Sequence, residues 1–153
     1  MEAERKAIRE VSLRLLSRRE YSRYELFNKL MSRGFDSRQA EAVIANLAEQ
    51  GWLCDRRFAE SHARQRIQKG YGPKRIAYEL RQAGIDDFDL DEIIYETAGS
   101  WLDLLVQVYQ KKYPQERTIP RHEWAKRSRF LLQRGFSGAL IGALFDHLNL
   151  KFE

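Results

Sequence analysis

Three stretches of this chain decide its fold: Leu30-Met31-Ser32-Arg33-Gly34-Phe35, Leu80-Arg81-Gln82-Ala83-Gly84-Ile85 and Leu131-Leu132-Gln133-Arg134-Gly135-Phe136. Their glycines lie 50 and 51 positions apart, and the register runs on past them, because Val43, Ile93 and Leu144 keep the same spacing. A glycine at the C′ position ends a helix by taking the left-handed conformation, and the next residue, C″, packs back on C3. Counting back from each glycine makes Leu30, Leu80 and Leu131 the C3 residues, with Phe35, Ile85 and Phe136 as their C″ partners. A unit of about 50 residues that repeats three times holds about three helices per copy, and the period is not the 33–34 of ankyrin or tetratricopeptide arrays. The expected fold is therefore all-α, an elongated array of three tandem three-helix repeats over residues 1–53, 54–98 and 99–153. A helical bundle with coincidental stops is the competing shape.

The rest of the sequence agrees with helices and offers nothing that reads as strand. Apolar residues recur at helical spacing in Leu26 and Leu30, Val43 and Leu47, Ile76 and Leu80, Leu144 and Leu148, and in the stripe Trp101, Leu104, Leu105, Val108. Ser22-Arg23-Tyr24-Glu25 and Asp89-Leu90-Asp91-Glu92 have the form of a capping box, and Pro73 suits the first turn of a helix. Nine helices are predicted, near 3–18, 22–33, 37–49, 55–69, 73–83, 88–97, 100–112, 121–134 and 137–149. A Pro114–Pro120 insertion interrupts the third unit.

Composition bounds the function. The 153 residues carry 27 Lys and Arg against 22 Asp and Glu, a formal +5, and mean hydropathy is −0.62. No apolar run approaches the ~20 residues that span a bilayer, and the first residues lack the apolar stretch of a secretory signal. A single cysteine, Cys54, forms no internal disulfide and suits a reducing compartment. The expectation is a cytoplasmic protein without membrane contact.

The basic surplus is local. Between Asp55 and Arg81, eight cations face three carboxylates, a surplus as large as that of the whole chain. On the fourth helix Arg57, Ser61, Arg64 and Gln68 share one face and Ala59, Ala63 and Ile67 the other; on the fifth, Lys74, Tyr78 and Arg81 lie opposite Ile76 and Leu80. Lys69 and Arg75 flank the link between these helices. A basic stripe carrying an aromatic suits a phosphate backbone or an acidic protein groove, or is a solvated face. Arg121, Lys126, Arg127, Arg129 and Arg134 form a second basic group beside Trp124 and Phe130, which read as core. Arg14, Arg18, Arg19, Arg23 and Lys29 surround Tyr21 and Tyr24 in the first unit. Arg66 falls on the apolar side of its helix and is expected to be buried against a carboxylate.

Other motifs resolve to structure. Gly70-Tyr71-Gly72-Pro73 lacks the Lys-Ser/Thr pair of a phosphate loop and reads as a turn. Asp86, Asp87, Asp89, Asp91, Glu92 and Glu96 gather at a helix start, where anions offset the dipole. His62, His122 and His147 stand apart with no metal-ligand spacing, and Cys54 reads as a small apolar residue. The expectation is no enzyme, no cofactor and no metal.

Asp55-Arg56-Arg57-Phe58-Ala59, followed by Arg64-x-Arg66-x-x-Lys69-Gly70-Tyr71-Gly72-Pro73 and by Ile76-x-x-Glu79-Leu80-x-x-x-Gly84-Ile85, resembles the RecX family, small bacterial regulators of the RecA recombinase. Tyr21-Ser22-x-x-Glu25-Leu26-x-x-Lys29-Leu30 and Lys126-x-x-Arg129-Phe130-Leu131-x-x-Arg134-Gly135-Phe136 extend the likeness to the first and third units, more loosely. The resemblance implies three three-helix repeats and binding to the RecA nucleoprotein filament, with inhibition of its assembly, ATP hydrolysis and strand exchange. It also implies binding of single- and double-stranded DNA without sequence preference. The expected contact set toward filament and DNA is Arg57, Arg64, Lys69, Lys74, Arg75, Tyr78, Arg81, Lys126, Arg127 and Arg134, on a monomer. The rival reading is a stand-alone helix-turn-helix-like DNA-binding protein. It needs a base-reading recognition helix, whereas the third helices of the repeats are apolar or acidic.

Overall fold

The three glycine stops form as the spacing requires. In the computed structural model, which describes residues 2–153, Phe35 donates to the Leu30 carbonyl at 3.3 Å, Ile85 to Leu80 at 2.9 Å and Phe136 to Leu131 at 3.2 Å. Gly34, Gly84 and Gly135 donate to Met31, Arg81 and Leu132, and all three have positive φ. These are the paired bonds of a Schellman closure.

Among the described residues there are nine helices: α1 (Glu2–Leu16), α2 (Arg23–Ser32), α3 (Ser37–Glu49), α4 (Asp55–Gln68), α5 (Pro73–Gln82), α6 (Asp91–Ala98), α7 (Trp101–Lys112), α8 (Arg121–Gln133) and α9 (Gly138–His147). Helix α2 opens on the expected capping box, in which the Ser22 hydroxyl accepts from the Glu25 amide and the Glu25 carboxylate accepts from Ser22 N–H. Asp36, Ser100 and Ser137 cap α3, α7 and α9 in the same one-sided way.

Two expectations fail locally. The box at Asp89–Glu92 does not form, because α6 begins only at Asp91 and Asp89 turns back to accept the Asp91 amide at 2.9 Å. A short aspartate side chain competes well for its own nearby backbone, which delays the helix. The third unit also contains a strand pair: β1 (Thr118–Ile119) runs parallel to β2 (Lys151–Phe152). Two-residue strands are too short to show alternation. Pro120, with no N–H, stands directly after β1, and fully buried Ile119 anchors it.

The chain divides into two compact units: residues up to His62 with Leu80–Phe88, and Ala63–Glu79 with Asp89–Glu153. In the first, α1, α2 and α3 pack on one another around Ile8, Leu26, Leu30, Ala40, Ile44 and Leu47. In the second, α7 and α8 pack on α9, over buried Leu105, Leu131, Phe136 and Leu144. Val43, Ile93 and Leu144, which set the register in the sequence, are all buried.

Within each unit, one repeat's glycine stop docks on the start of the preceding repeat's second helix. In the first unit the Ser22 hydroxyl donates to the Ala83 carbonyl at 2.7 Å, and a Cβ on Gly84 would lie 2.6 Å from that of Tyr24. In the second, the Gly72 and Lys74 amides donate to the Arg134 and Gly135 carbonyls at 2.8 and 3.0 Å, and a Cβ on Gly135 would lie 2.5 Å from that of Arg75. Gly34, the stop of the first repeat, meets no such neighbour: among the described residues nothing lies within 4 Å of its Cβ position. The glycine thus has two uses, closing its own helix and admitting the neighbouring backbone.

Candidate functional site

The basic residues predicted as contacts separate by environment. On α4 the expected face is exposed at Arg57, Ser61, Arg64 and Gln68, while Ala59, Ala63 and Ile67 are buried. Arg57 donates to Glu20 at 2.6 Å, and that hydrogen bond raises its pKa further, against a small cost of burial. Arg64 lies 4.0 Å from Glu96 of α6. On α5, Lys74, Tyr78 and Arg81 are exposed opposite buried Ile76 and Leu80. Lys69, Lys74, Arg81 and Lys126 are exposed and have no carboxylate partner among the described residues.

The α4–α5 link is a turn, as read, and it gathers charge. Arg66 is half-buried and donates to Glu79 at 2.8 Å, so the carboxylate expected for it is one and a half turns along α5. Arg75 donates to the same carboxylate at 3.2 Å. Tyr71 lies under both, with the Arg75 guanidinium 4.4 Å and the Arg66 guanidinium 5.2 Å from its ring centre, and Arg134 approaches the ring at 4.7 Å. Three guanidinium groups share one ring and two of them one carboxylate, an arrangement that holds the planar groups in place while leaving net positive charge. Tyr71 escaped the predicted set; the signal for it was a lone aromatic between two glycines, flanked by Arg66 and Arg75. Arg134, half-buried, also donates to the Lys69 carbonyl at 3.1 Å, which ties the repeat-three stop to the α4–α5 link.

Arg127 is a correction. It is 5% exposed, and its guanidinium is committed to Glu123 at 2.8 Å, Glu116 at 2.9 Å and the Tyr109 hydroxyl at 2.7 Å. Burial works against its charge, but the hydrogen bonds to Glu123, Tyr109 and Glu116 hold its pKa above the ordinary value. Its guanidinium is itself buried and fully engaged within the protein, so it drops out of the contact set. The helix period explains why: Trp124, Arg127 and Leu131 share the inward side of α8, while Lys126 and Arg129 point out. Trp124 and Phe130, both half-buried, belong to the aromatic cluster of Tyr109, Tyr113 and Phe145. Tyr21 is buried, with Arg19 over its ring at 3.7 Å, whereas Tyr24 is half exposed beside Gly84. Among the described residues no cluster of His, Cys, Asp and Glu has the form of a metal site, and no helix is long and apolar enough to cross a membrane.

Such a chain is a helical-repeat protein of three tandem three-helix domains with exposed cations on the helices of the middle one. The comparisons with known proteins say which. Family models for the first, second and third three-helix domains of RecX match residues 9–47, 55–93 and 101–145. The chain is 40% identical to the "Regulatory protein RecX" of Pseudomonas entomophila, over 94% of its length and 93% of the relative's, and 39% identical to that of Halorhodospira halophila over 90% and 85%. The crystal structure of RecX from Lactobacillus salivarius shares the fold, with a TM-score of 0.79 at 23% identity, covering 97% of this chain and 99% of the other. The chain belongs to the RecX family.

Proposed function

We propose that this protein is a non-enzymatic, monomeric, cytoplasmic regulator of recombinational DNA repair. It binds the RecA nucleoprotein filament and inhibits its assembly, ATP hydrolysis and strand exchange. Its repeats, bounded near residues 53 and 98, each bring a basic helix face to the filament, so that weak contacts add through multivalency. DNA is held through its phosphates, single- or double-stranded and without sequence preference. The observation that carries the reading is the set of exposed cations without carboxylate partners, Lys69, Lys74 and Arg81, inside the segment whose motif resembles the family most closely. Arg57, Arg64, Arg75 and Tyr78 add to it from exposed positions, with Lys126 from α8 and Arg134 as the anchor that positions Lys69.

The test is a titration of the purified protein into RecA on single-stranded DNA, following ATP turnover. Inhibition is expected to fall strongly when Arg64, Lys74 and Arg81 are changed together to Glu, with far-UV circular dichroism unchanged. Unaltered inhibition removes these residues from the mechanism. A footprint on one preferred duplex sequence would replace this reading with the helix-turn-helix one.

A further inference from the structure

Against the apolar side of α7 lies a groove of about 540 Å³ that none of the predicted contacts explains as a whole. Its floor is aliphatic: Ile67, Ala98, Leu104 and Val108. Its charged lining is Lys69, Lys111, Lys112 and Arg134, and no aspartate or glutamate lines it. Gly70 makes the close approach possible, since a Cβ there would meet Val108 Cγ2 at 3.0 Å.

The cations have one structural use, because α4, α7 and α8 end here and a helix C-terminus favours positive charge. Each such end carries roughly half a negative charge. Three ends offset fewer than half of four cations, so the groove remains positive. None of the three lysines has a carboxylate partner among the described residues. A positive rim over an aliphatic lining that half-buried Ala98 and Val108 bring to the surface asks for a ligand with negative charge and apolar side chains together.

That combination separates peptide from nucleic acid. Bases need a free aromatic face, and the groove's one aromatic ring, Phe130, is covered by Lys112 Nζ at 3.4 Å and approached by Arg134 at 5.4 Å. We infer that the groove between the end of α4, α7 and α8 is a docking site for an acidic peptide segment. Its carboxylates meet Lys69, Lys111 and Lys112, and an aliphatic or aromatic side chain is seated on Val108 and Ala98. This goes beyond the regulator role proposed above and does not depend on it, since binding of the peptide probe is read without RecA.

The probe is a short fluorescein-labelled peptide in which Leu and Phe alternate with Asp and Glu, titrated with the whole protein and read by fluorescence anisotropy. Saturable binding is expected. It should weaken roughly tenfold or more when Leu and Phe of the probe become Ser, and by as much in Lys111→Glu/Lys112→Glu with its fold verified by circular dichroism. Val108→Asp, checked by circular dichroism, should act likewise. Three results overturn the inference: no binding, equal binding of the Ser probe, or unchanged affinity in the double reversal. A fourth does so too. If a single-stranded oligonucleotide displaces the probe and loses its own affinity by the same factor in the double reversal, the groove is a nucleic-acid path.

Discussion

The fully buried hydroxyl of Ser22 makes two hydrogen bonds, accepting from the Glu25 amide at 3.1 Å and donating to the Ala83 carbonyl at 2.7 Å. One atom therefore caps α2 and fastens the stop of the following repeat to it. Changing Ser22 to Ala removes a helix cap, about 0.5–2 kcal/mol. It also strands a buried carbonyl, about 1–3 kcal/mol. Urea denaturation of the Ser22→Ala variant should show a loss of about 2–4 kcal/mol in total. A loss no larger than that of an isolated cap would mean the Ala83 carbonyl finds another donor.

The three stop glycines should not respond alike to alanine. All have positive φ, which costs an L residue about 1–2 kcal/mol. At Gly34 that is the whole penalty, because the Cβ position is open. At Gly135 a Cβ would sit 2.5 Å from Arg75 Cβ and 2.7 Å from Arg75 N. The backbone of one repeat must then retreat from the other, adding about 1–3 kcal/mol of overpacking. Thermal unfolding should rank Gly135→Ala well below Gly34→Ala; equal melting temperatures would refute the docking role.

Most of this architecture was legible before any coordinates, because it rests on local rules. A glycine four residues beyond its paired leucine, a serine with glutamate three on, and apolar pairs at four-residue spacing each act within about one turn of chain. What escaped was decided by competition or by distance. Asp89 accepts from the Asp91 amide, two residues on, where a capping box needs the amide three on. Arg127 looked like its exposed neighbours Lys126 and Arg129, yet its partners Glu116 and Tyr109 come from outside α8, beyond the reach of helix periodicity. The strand pair joins Ile119 to Phe152 across the third repeat and has no periodic trace at all. The candidate site divides the same way: which helix face carries the cations was readable, and which cations lack a carboxylate was not.

Arg127 is expected to be structural only. Arg127→Met keeps the apolar stem and leaves Glu116, Glu123 and the Tyr109 hydroxyl without their donor. Removing one member of a buried charge cluster costs about 3–5 kcal/mol when the partners are buried. Here both carboxylates are about a third exposed, so about 2–3 kcal/mol is expected in denaturant melts. Oligonucleotide affinity per folded molecule should stay constant, whereas Lys126→Glu should lower it without affecting stability. The opposite pattern would return Arg127 to the contact set.

The same cluster has a pH signature. The hydrogen bond from Arg127 lowers the pKa of Glu123 below its ordinary 4.5. A carboxylate depressed in the folded state stabilises fully above its unfolded pKa and loses that contribution as pH falls through the folded one. The stability difference between the native protein and Glu123→Gln should therefore be constant near neutrality and shrink below about pH 4.5. A difference that grows on acidification would mean that Glu123 is not the charged partner.

Salt dependence separates the free cations from the committed ones on α5. A lysine that contacts a phosphate releases counterions, and removing it lowers the slope of log affinity against log salt by about 0.7–0.9. Lys74 is exposed with no carboxylate partner among the described residues, while its neighbour Arg75 is held by Glu79 and stacked on Tyr71. Part of the Arg75 charge is already neutralised, and its guanidinium is fixed in position by the protein. Lys74→Ala should therefore reduce the salt slope for a single-stranded oligonucleotide by about 0.7, and Arg75→Ala by clearly less, when both are measured by anisotropy across a salt series. If Arg75→Ala gave the larger change, the Tyr71 cluster would be the phosphate contact and the open face of α5 a solvated surface.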